Sequence, residues 1–279
     1  MSHLEPHHEL VGQGYDASGS ETQGYDYEVV RLEQHSPVEY AITLRYIQRY
    51  ITDGVTVADI GAGAGHYSES LARRNCSVHL VDVAQRLLDA AVARLTEAGL
   101  ERQIASVTRA SATALSFLPD ACCDVVLVLG PLYHLGLTEE RSRAIAEAAR
   151  ILRPGGLVFA AGINRLAYFR DMLRQAPNCA VERVDFHRRF LHEGNFFPRG
   201  APELPTGHLT TVDEFRTELT ATFSPLVLTG VESFTSEYHN AFLQASAADA
   251  EAWLDLVEQT GTTPEGLGVS DHYLFIGRR

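Results

Sequence analysis

The chain has 279 residues, of which 45% are hydrophobic and 21% are charged. These values are typical of a globular protein that is long enough to bury a large core without disulfides or structural metals. The formal net charge is −13, and such a field repels polyanions unless a basic patch reverses it. The arginines that come nearest to a patch lie among acidic residues: Arg183, Arg188, Arg189 and Arg199. We therefore expect no nucleic acid as a partner.

The sequence has no feature of a targeting or membrane segment. The first residues lack a basic start and an apolar core, and the longest apolar run, at 125–129, is far too short to span a bilayer. The four cysteines form no C-x-x-C pair, which is typical of a reducing compartment. We expect a soluble, cytoplasmic protein without a membrane partner.

The predicted elements begin with a tail and two helices. Residues 1 to about 24 are polar and rich in glycine and histidine, so we expect them to be mobile. From 26 to 50 apolar residues recur at helical spacing, and Pro37 divides this stretch into two helices because it is tolerated only in a first turn. We interpret residues 1–50 as an N-terminal tail and helical cap, and 51–279 as one domain.

Strands and helices then alternate. Five strands are predicted, at 55–60, 77–82, 104–108, 124–129 and 157–163. Helical patterns lie between them, after Gly65, at 84–98 and at 139–152. This alternation is typical of βαβ units, and it predicts an α/β fold with a parallel sheet.

Residues 164–210 interrupt the alternation and are interpreted as an insertion. They contain a predicted helix at 166–175, a polar stretch, and a Gly/Pro-rich loop at 193–207 that has the length of a lid or binding element. A helix opening at Thr211, a strand at 227–234, a helix at 245–259 and a closing strand at 272–277 follow.

A glycine-rich turn, Asp59-Ile60-Gly61-Ala62-Gly63-Ala64-Gly65, joins the first strand to the next helix. Glycines there allow a sharp turn and a close approach of the backbone to a ligand. Asp82 ends the second strand, where a carboxylate can accept both hydroxyls of a ribose. A dinucleotide motif would require glycine at the position of His66. The pattern therefore favours a ligand with a ribose and an amino-acid tail but no pyrophosphate, and a nicotinamide-dependent oxidoreductase is disfavoured.

These segments resemble those of a known family, the class I S-adenosylmethionine-dependent methyltransferases. Residues 57–65 resemble its first motif, 78–82 its second, 118–127 the run into its fourth strand, and 152–156 the turn before its fifth. Residues 129–135, Leu-Gly-Pro-Leu-Tyr-His-Leu, resemble a variant found in bacterial small-molecule methyltransferases. The resemblance spans about 38–165. It implies a doubly wound, mostly parallel seven-stranded sheet with an antiparallel last strand, an N-terminal helical cap and an insertion after the fifth strand.

The resemblance also implies S-adenosylmethionine as the cofactor and a role for individual residues. The methionine end would meet the glycines of the turn, with Asp59 holding its ammonium group directly or through water. Asp82 and Val83 would lie at the ribose. Ser111 and Ala112 stand where family members often carry Asp-Ala for the adenine, which leaves a backbone contact at Ala112. Leu129 and Gly130 would flank the sulfonium. The expected cofactor-binding residues are thus Asp59, Gly61, Gly63, Gly65, Asp82, Val83, Ser111, Ala112, Leu129 and Gly130.

Methyl transfer is an in-line displacement, so the protein must align the reactants, exclude water and, for some acceptors, remove a proton. His134 is a candidate base beside the sulfonium, and Tyr133 is a candidate for contact with the substrate or the methyl group. His208, after the Gly/Pro-rich loop, is a third candidate for the substrate site. The alternative is that all three have structural roles.

We expect no metal, because no acid pair follows Leu129, and because His3 and His7 have helical spacing only within a tail expected to be mobile. Gly130-Pro131-Leu132-Tyr133 also differs from the Asn/Asp-Pro-Pro-Tyr of enzymes that methylate amines of nucleic acids or glutamine. The predicted activity is O- or N-methylation of a small, partly apolar secondary metabolite by a monomer or homodimer. That acceptor is suggested by the phenylalanines of the insertion, Phe169, Phe186, Phe190, Phe196 and Phe197. The alternative is a cofactor-binding but inactive partner or regulatory protein.

Overall fold

The computed structural model describes residues 4–17, 24–196 and 206–279. The helices are α1 (Pro6–Asp16), α2 (Tyr25–Glu28), α3 (Pro37–Tyr50), α4 (His66–Ala72), α5 (Gln85–Glu97), α6 (Thr138–Ile151), α7 (Arg165–Gln175), α8 (Cys179–Glu182), α9 (Val184–Glu193), α10 (Val212–Thr220), α11 (His239–Gln244), α12 (Ala247–Gly261) and α13 (Pro264–Val269). The strands are β1 (Thr56–Ile60), β2 (Ser77–Asp82), β3 (Ile104–Arg109), β4 (Cys123–Val128), β5 (Leu152–Ile163), β6 (Asn195–Phe196), β7 (Gly207–His208), β8 (Ser224–Gly230) and β9 (His272–Arg278). Short π or 3-10 turns lie at Arg31–His35, Glu101–Gln103, Pro131–His134 and Ser233–Thr235.

Seven strands form one sheet in the order β3-β2-β1-β4-β5-β9-β8. The pairs from β3 to β5 are parallel, whereas β9 runs antiparallel to both β5 and β8. The chain reverses its direction across the sheet between β1 and β4, and in doubly wound folds a ligand binds at the carboxyl ends of the strands at such a point. The predicted fold class is confirmed, including the antiparallel last strand.

Both faces of the sheet are covered by helices. One hydrophobic core packs residues of α6 and α10 against β4, β5 and β9, and the other packs α3, α4, α5 and α12 against the opposite face. Strands covered on both faces bury successive residues, which explains the unbroken apolar run of β4. Pro37 is the first residue of α3, as predicted, because its missing N–H is not needed there.

The structure differs from the predicted elements in five respects. Pro6–Asp16 is a helix that packs on α5, so this part of the expected mobile tail is ordered. The polar stretch of the insertion contains α8 and α9, which were not predicted. Strand β5 begins at Leu152, five residues earlier than expected, and the strand expected at 227–234 is β8, Ser224–Gly230. Helices α11 and α13 were also missed.

Part of the predicted Gly/Pro-rich loop lies outside the described residues, as do His3, Phe197 and Arg199. In the described part of the chain, no helix combines the length and the apolar composition needed to cross a membrane. The division at residue 50 stays a prediction.

Candidate active site

The glycine-rich turn uses its three glycines differently. All three have positive φ, 80° at Gly61, 52° at Gly63 and 81° at Gly65, a conformation that other residues adopt only with strain. A Cβ on Gly61 would lie 2.6 Å from Cδ of Pro131, and one on Gly65 would lie 2.9 Å from Cβ of Ala91. No atom lies within 4 Å of the Cβ position of Gly63. The first and third glycines therefore permit close packing, whereas the second leaves space for a ligand.

Asp82 ends β2 beside this turn. Its two carboxylate oxygens each accept a backbone hydrogen bond of 2.9 Å, one from the N–H of Gly63 and the other from the N–H of Ala84. Burial raises the pKa of this carboxyl group, while these backbone hydrogen bonds act in the opposite direction. The contacts fix the carboxylate at the pocket wall, where its remaining lone pairs can accept hydroxyl protons of a ribose.

A pocket lies over the carboxyl ends of β1, β2 and β4, and we call it the glycine pocket. It contains about 980 Å³ of empty space, part of which is open to solvent. The following predicted site residues line it: Gly61, Gly63, Asp82, Val83, Ser111, Ala112, Leu129, Gly130, Tyr133 and His134.

Three predicted site residues do not line the glycine pocket. Asp59 is 2% exposed and accepts a hydrogen bond of 2.6 Å from the Ser68 hydroxyl, and burial raises its pKa to about 6. Gly65 packs on α5. His208 lies in the small β6–β7 sheet, where its Nδ1 donates to Oδ1 of Asn195 at 2.8 Å.

A second space, the outer cavity, shares part of its wall with the glycine pocket. Six residues belong to the lining of both cavities, namely Val11, Tyr15, Glu28, Arg31, Tyr133 and His134. The outer cavity continues past Tyr27, Ser36 and His272 on one side, and past Ile163, Phe196 and Leu209 on the other. It therefore has a polar side and an apolar side, and it meets the glycine pocket at Tyr133 and His134.

His134 lies at the junction in contact with Tyr15. Burial, with a smaller contribution from Arg31, lowers the pKa of His134 to about 4, so its ring is neutral near pH 7. Burial raises the pKa of Tyr15 well above its ordinary value. The Tyr15 hydroxyl is therefore protonated and donates to Nε2 of His134 at 2.7 Å. Tyr133 instead donates its hydroxyl proton to the carbonyl oxygen of Leu129 at 3.2 Å.

A charged cluster forms the polar side of the outer cavity. Arg31 donates to Glu39 at 2.8 Å and to Glu28 at 3.3 Å. His272 contacts Glu232 at 2.5 Å through Nδ1, and its backbone N–H donates to the same carboxylate. Burial opposes protonation of His272, but Glu39 and Glu232 raise its pKa to about 9. On this side of the cavity, the positively charged side chains of Arg31 and His272 are thus paired with neighbouring carboxylates.

Sequence reasoning missed Arg31, Glu28, His272 and His8 as pocket residues. The one signal at Arg31 is a charge within the apolar helical pattern of 29–32. Nothing local marks His272 or His8, because only the folded chain brings the first and last elements to the pocket. Tyr15 and Tyr27, two aromatic residues of the N-terminal segment, both line the outer cavity.

The glycine pocket has the features that a nucleoside with an amino-acid tail requires. Gly63 leaves the turn open, Asp82 presents a carboxylate at the pocket wall, and Leu87, Ala112 and Leu135 give the wall an apolar part. Residues 58–160 match the sequence model of the family described as "Methyltransferase domain". This part of the chain is a class I S-adenosylmethionine-dependent methyltransferase domain. The predicted family and cofactor are confirmed.

Curated relatives of the methyltransferase domain include enzymes named ubiquinone biosynthesis O-methyltransferase. The one from Caulobacter vibrioides is 32% identical over 115 residues, which are 40% of this chain and 42% of the relative. The one from Stutzerimonas stutzeri is 34% identical over 128 residues, which are 44% of this chain and 51% of the relative. The chain thus spans about half the length of the curated relatives it matches.

Solved structures share the fold over most of the chain. A methyltransferase from Methanosarcina mazei has a TM-score of 0.55 at 21% identity, covering 84% of this chain and 96% of that one. A geranyl diphosphate methyltransferase has a TM-score of 0.58 at 13% identity, covering 99% of both chains. The cyclase SpnF has a TM-score of 0.56 at 18% identity, covering 100% and 99%. At these identities the comparison establishes the fold alone.

Proposed function

We propose that the protein transfers a methyl group from S-adenosylmethionine to an oxygen or nitrogen atom of a small-molecule acceptor. The observation that carries this proposal is the junction between the two cavities. A cofactor in the glycine pocket and an acceptor in the outer cavity would both contact the six shared residues. Such an arrangement places two reactants side by side for an in-line displacement.

The residues of the glycine pocket would bind and orient the cofactor. Asp82 would accept the ribose hydroxyls, the turn at Gly63 would lie against the methionine end, and Ser111 with Ala112 would lie at the adenine. Leu129 and Gly130, which follow β4, would lie beside the sulfonium. When bound, S-adenosylmethionine supplies an electrophilic methyl group, so the protein needs to supply alignment and, for a hydroxyl acceptor, a base.

His134 is the candidate base because it is neutral and lies at the junction. Its Nε2 accepts a hydrogen bond from the Tyr15 hydroxyl, so an acceptor hydroxyl would have to replace Tyr15 at this nitrogen. Tyr133, whose hydroxyl is already engaged with Leu129, would pack against the acceptor or the methyl group. His208 lines neither cavity, although its neighbours Gly207 and Leu209 line the outer cavity, and we propose no role for it in the reaction.

An oxygen acceptor on a partly apolar molecule is favoured over nitrogen. The curated relatives are named O-methyltransferases, and a base at the junction is needed for a hydroxyl more than for a neutral amine. The outer cavity pairs Ile163, Phe196 and Leu209 with a charged side. We infer an acceptor with an apolar or aromatic body and a polar group at the methylated end.

The test is incubation of the protein with methyl-labelled S-adenosylmethionine and a panel of hydroxylated aromatic, terpenoid and amine metabolites, followed by mass spectrometry. We expect at least one hydroxylated acceptor to gain one methyl group, with a large loss of product in the His134→Gln variant. Tight cofactor binding without transfer to any acceptor would contradict the proposal. That result would favour the second candidate, a cofactor-binding protein without this activity, since the similarly folded SpnF is named a cyclase.

A further inference from the structure

A buried cluster of two histidines and one glutamate lies outside the reaction chemistry described above. His7 and His8 are consecutive residues of the first turn of α1, and Glu140 lies in the first turn of α6. They are 7%, 2% and 2% exposed. A carboxylate and two imidazoles are rarely buried together unless their polar atoms are satisfied.

Three polar atoms of this cluster have no hydrogen-bond partner among residues 4–17, 24–196 and 206–279. Both ring nitrogens of His8 and Oε2 of Glu140 are buried, and no group in the described part of the chain forms a hydrogen bond with them. The other Glu140 oxygen is in close contact with Nε2 of His7. Leaving such groups without partners destabilises a fold, so their burial points to a ligand that the described residues do not provide.

The three side chains converge as metal ligands do. Their donor atoms lie within 4.8 Å of one another, and Nε2 of His8 is 3.4 Å from Oε1 of Glu140. Zinc–nitrogen and zinc–oxygen bonds near 2.1 Å in a tetrahedral site separate two donor atoms by about 3.4 Å. Side chains of adjacent helix residues normally diverge, yet the two imidazole rings have centroids 4.1 Å apart.

A second cluster in the described part of the chain provides a contrast. Glu39, Glu232 and His272 also bring their donor atoms within 4.8 Å of one another. There, however, Arg31 donates to Glu39, and Ser270 and His272 donate to Glu232. Its charges and hydrogen bonds are balanced by the protein, and no ion is needed.

We propose that His7, His8 and Glu140 bind one divalent transition-metal ion, with Zn²⁺ as the best chemical match. Two imidazole nitrogens and one carboxylate oxygen form a donor set that suits Zn²⁺ and its neighbours in the first transition row, whereas Mg²⁺ and Ca²⁺ prefer oxygen alone. A fourth position would be filled by water or by Glu5, whose carboxylate lies 4.0 Å from Nε2 of His7.

The ion would join α1 to the start of α6. His8 also lines the glycine pocket, so the ion would lie in the wall of that pocket and hold α1 over it. This site differs from the sequence expectation, in which no metal was foreseen and His7 was considered only with His3. The inference does not depend on the proposed reaction, because it rests on donor atoms that take no part in it.

The test is calorimetric titration of Zn²⁺ into the full-length protein after removal of metal with a chelator. We expect one ion per chain in the wild type, and at least a tenfold loss of affinity in His8→Ala and in Glu140→Gln. His192→Ala, which removes an exposed histidine, is the matched control and should bind as the wild type does. Circular dichroism checks that each variant is folded.

A second measurement uses only the wild type, in case a variant does not fold. Co²⁺ added to the metal-free protein should give the intense visible absorption of a four- or five-coordinate site, and Zn²⁺ should abolish it and raise the melting temperature. Absence of stoichiometric Zn²⁺ binding by the wild type would overturn the proposal. The proposal would also be overturned if folded His8→Ala bound Zn²⁺ with the affinity of the wild type, even if this variant bound the cofactor more weakly.

Discussion

His134 has an unusual environment for a candidate base, since burial and Arg31 lower its pKa to about 4. The ring is therefore neutral across the physiological range, and it becomes protonated only as the pH falls towards 4. A free histidine would lose basic function near pH 6.5. We therefore expect the rate to fall on the acid side at a pH well below the one at which an ordinary histidine becomes protonated.

The first prediction is that kcat/KM falls on the acid side with an apparent pKa near 4 and that His134→Gln lowers kcat by about 10²–10⁴-fold. The measurement is a pH–rate profile of both proteins with an acceptor found by the panel. Tyr15→Phe is the companion variant, and because it removes only the proton donor to Nε2, we expect a much smaller loss. An equal loss in both variants would show that His134 acts by holding Tyr15.

Individual residues differ in how far the sequence predicts them. Asp82 and the glycines were predictable because their roles follow from local backbone geometry and from the strand that ends there. Tyr15, Arg31 and His272 acquire their roles from contacts with residues far away in the chain, such as Tyr15 with His134. No local pattern carries that information. The proposed metal ligand Glu140 is equally hidden, since in the sequence it resembles an ordinary acid at a helix start.

At the scale of the elements, two glycines of the turn between β1 and α4 have different functions. Gly65→Ala would place a Cβ 2.9 Å from that of Ala91 at a φ of 81°, so the packing of α4 on α5 must shift. Gly63→Ala would meet no atom within 4 Å and would instead fill space that we assign to the cofactor.

The second prediction follows from this pair. Gly65→Ala should lower the free energy of unfolding by about 1–3 kcal/mol, through strain and overpacking. Gly63→Ala should lose less stability but should bind S-adenosylhomocysteine at least tenfold more weakly. Urea denaturation and calorimetry measure the two quantities. If Gly65→Ala lost only affinity and Gly63→Ala lost only stability, this division of roles would be wrong.

At the same scale, the alternating strands and helices of 55–163 were predictable because buried parallel strands are uniformly apolar and the helices between them are amphipathic. Helices α1, α8 and α9 were missed. The sequence of α1 is largely polar, and its His7 and His8 are buried against Glu140 of α6. Helix α8 has only four residues. A segment that forms a helix only through such distant contacts is predicted as a loop from the sequence alone.

For the whole molecule, the cluster around His272 connects the N-terminal helices to the last strand. Glu39 lies on α3, Glu232 follows β8, His272 begins β9, and Arg31 contacts Glu39. Burial would lower the pKa of His272, but the two carboxylates raise it to about 9 against the opposing effect of Arg31. The protonated ring therefore stabilises the folded state at neutral pH.

The third prediction concerns the pH dependence of stability. Because the folded-state pKa is raised, the stabilisation is complete below about pH 6.5 and is lost as the pH rises through about 9. The shift corresponds to roughly 3 kcal/mol at most. The free energy of unfolding of the wild type should decline between pH 7 and 9.5, whereas that of His272→Gln should be lower at pH 7 and nearly flat over this range. An identical slope in both proteins would exclude the cluster as its source.

The central claim is that the glycine pocket binds S-adenosylmethionine with Asp82 at the ribose. The most direct measurement is calorimetric titration of S-adenosylhomocysteine into the wild type, Asp82→Ala and the exposed control Asp89→Ala. We predict micromolar binding by the wild type and the control, and a loss of about 10–100-fold in Asp82→Ala, as expected for lost hydrogen bonds to a charged group. A folded wild type that does not bind, or an Asp82→Ala variant that binds equally well, would contradict the account.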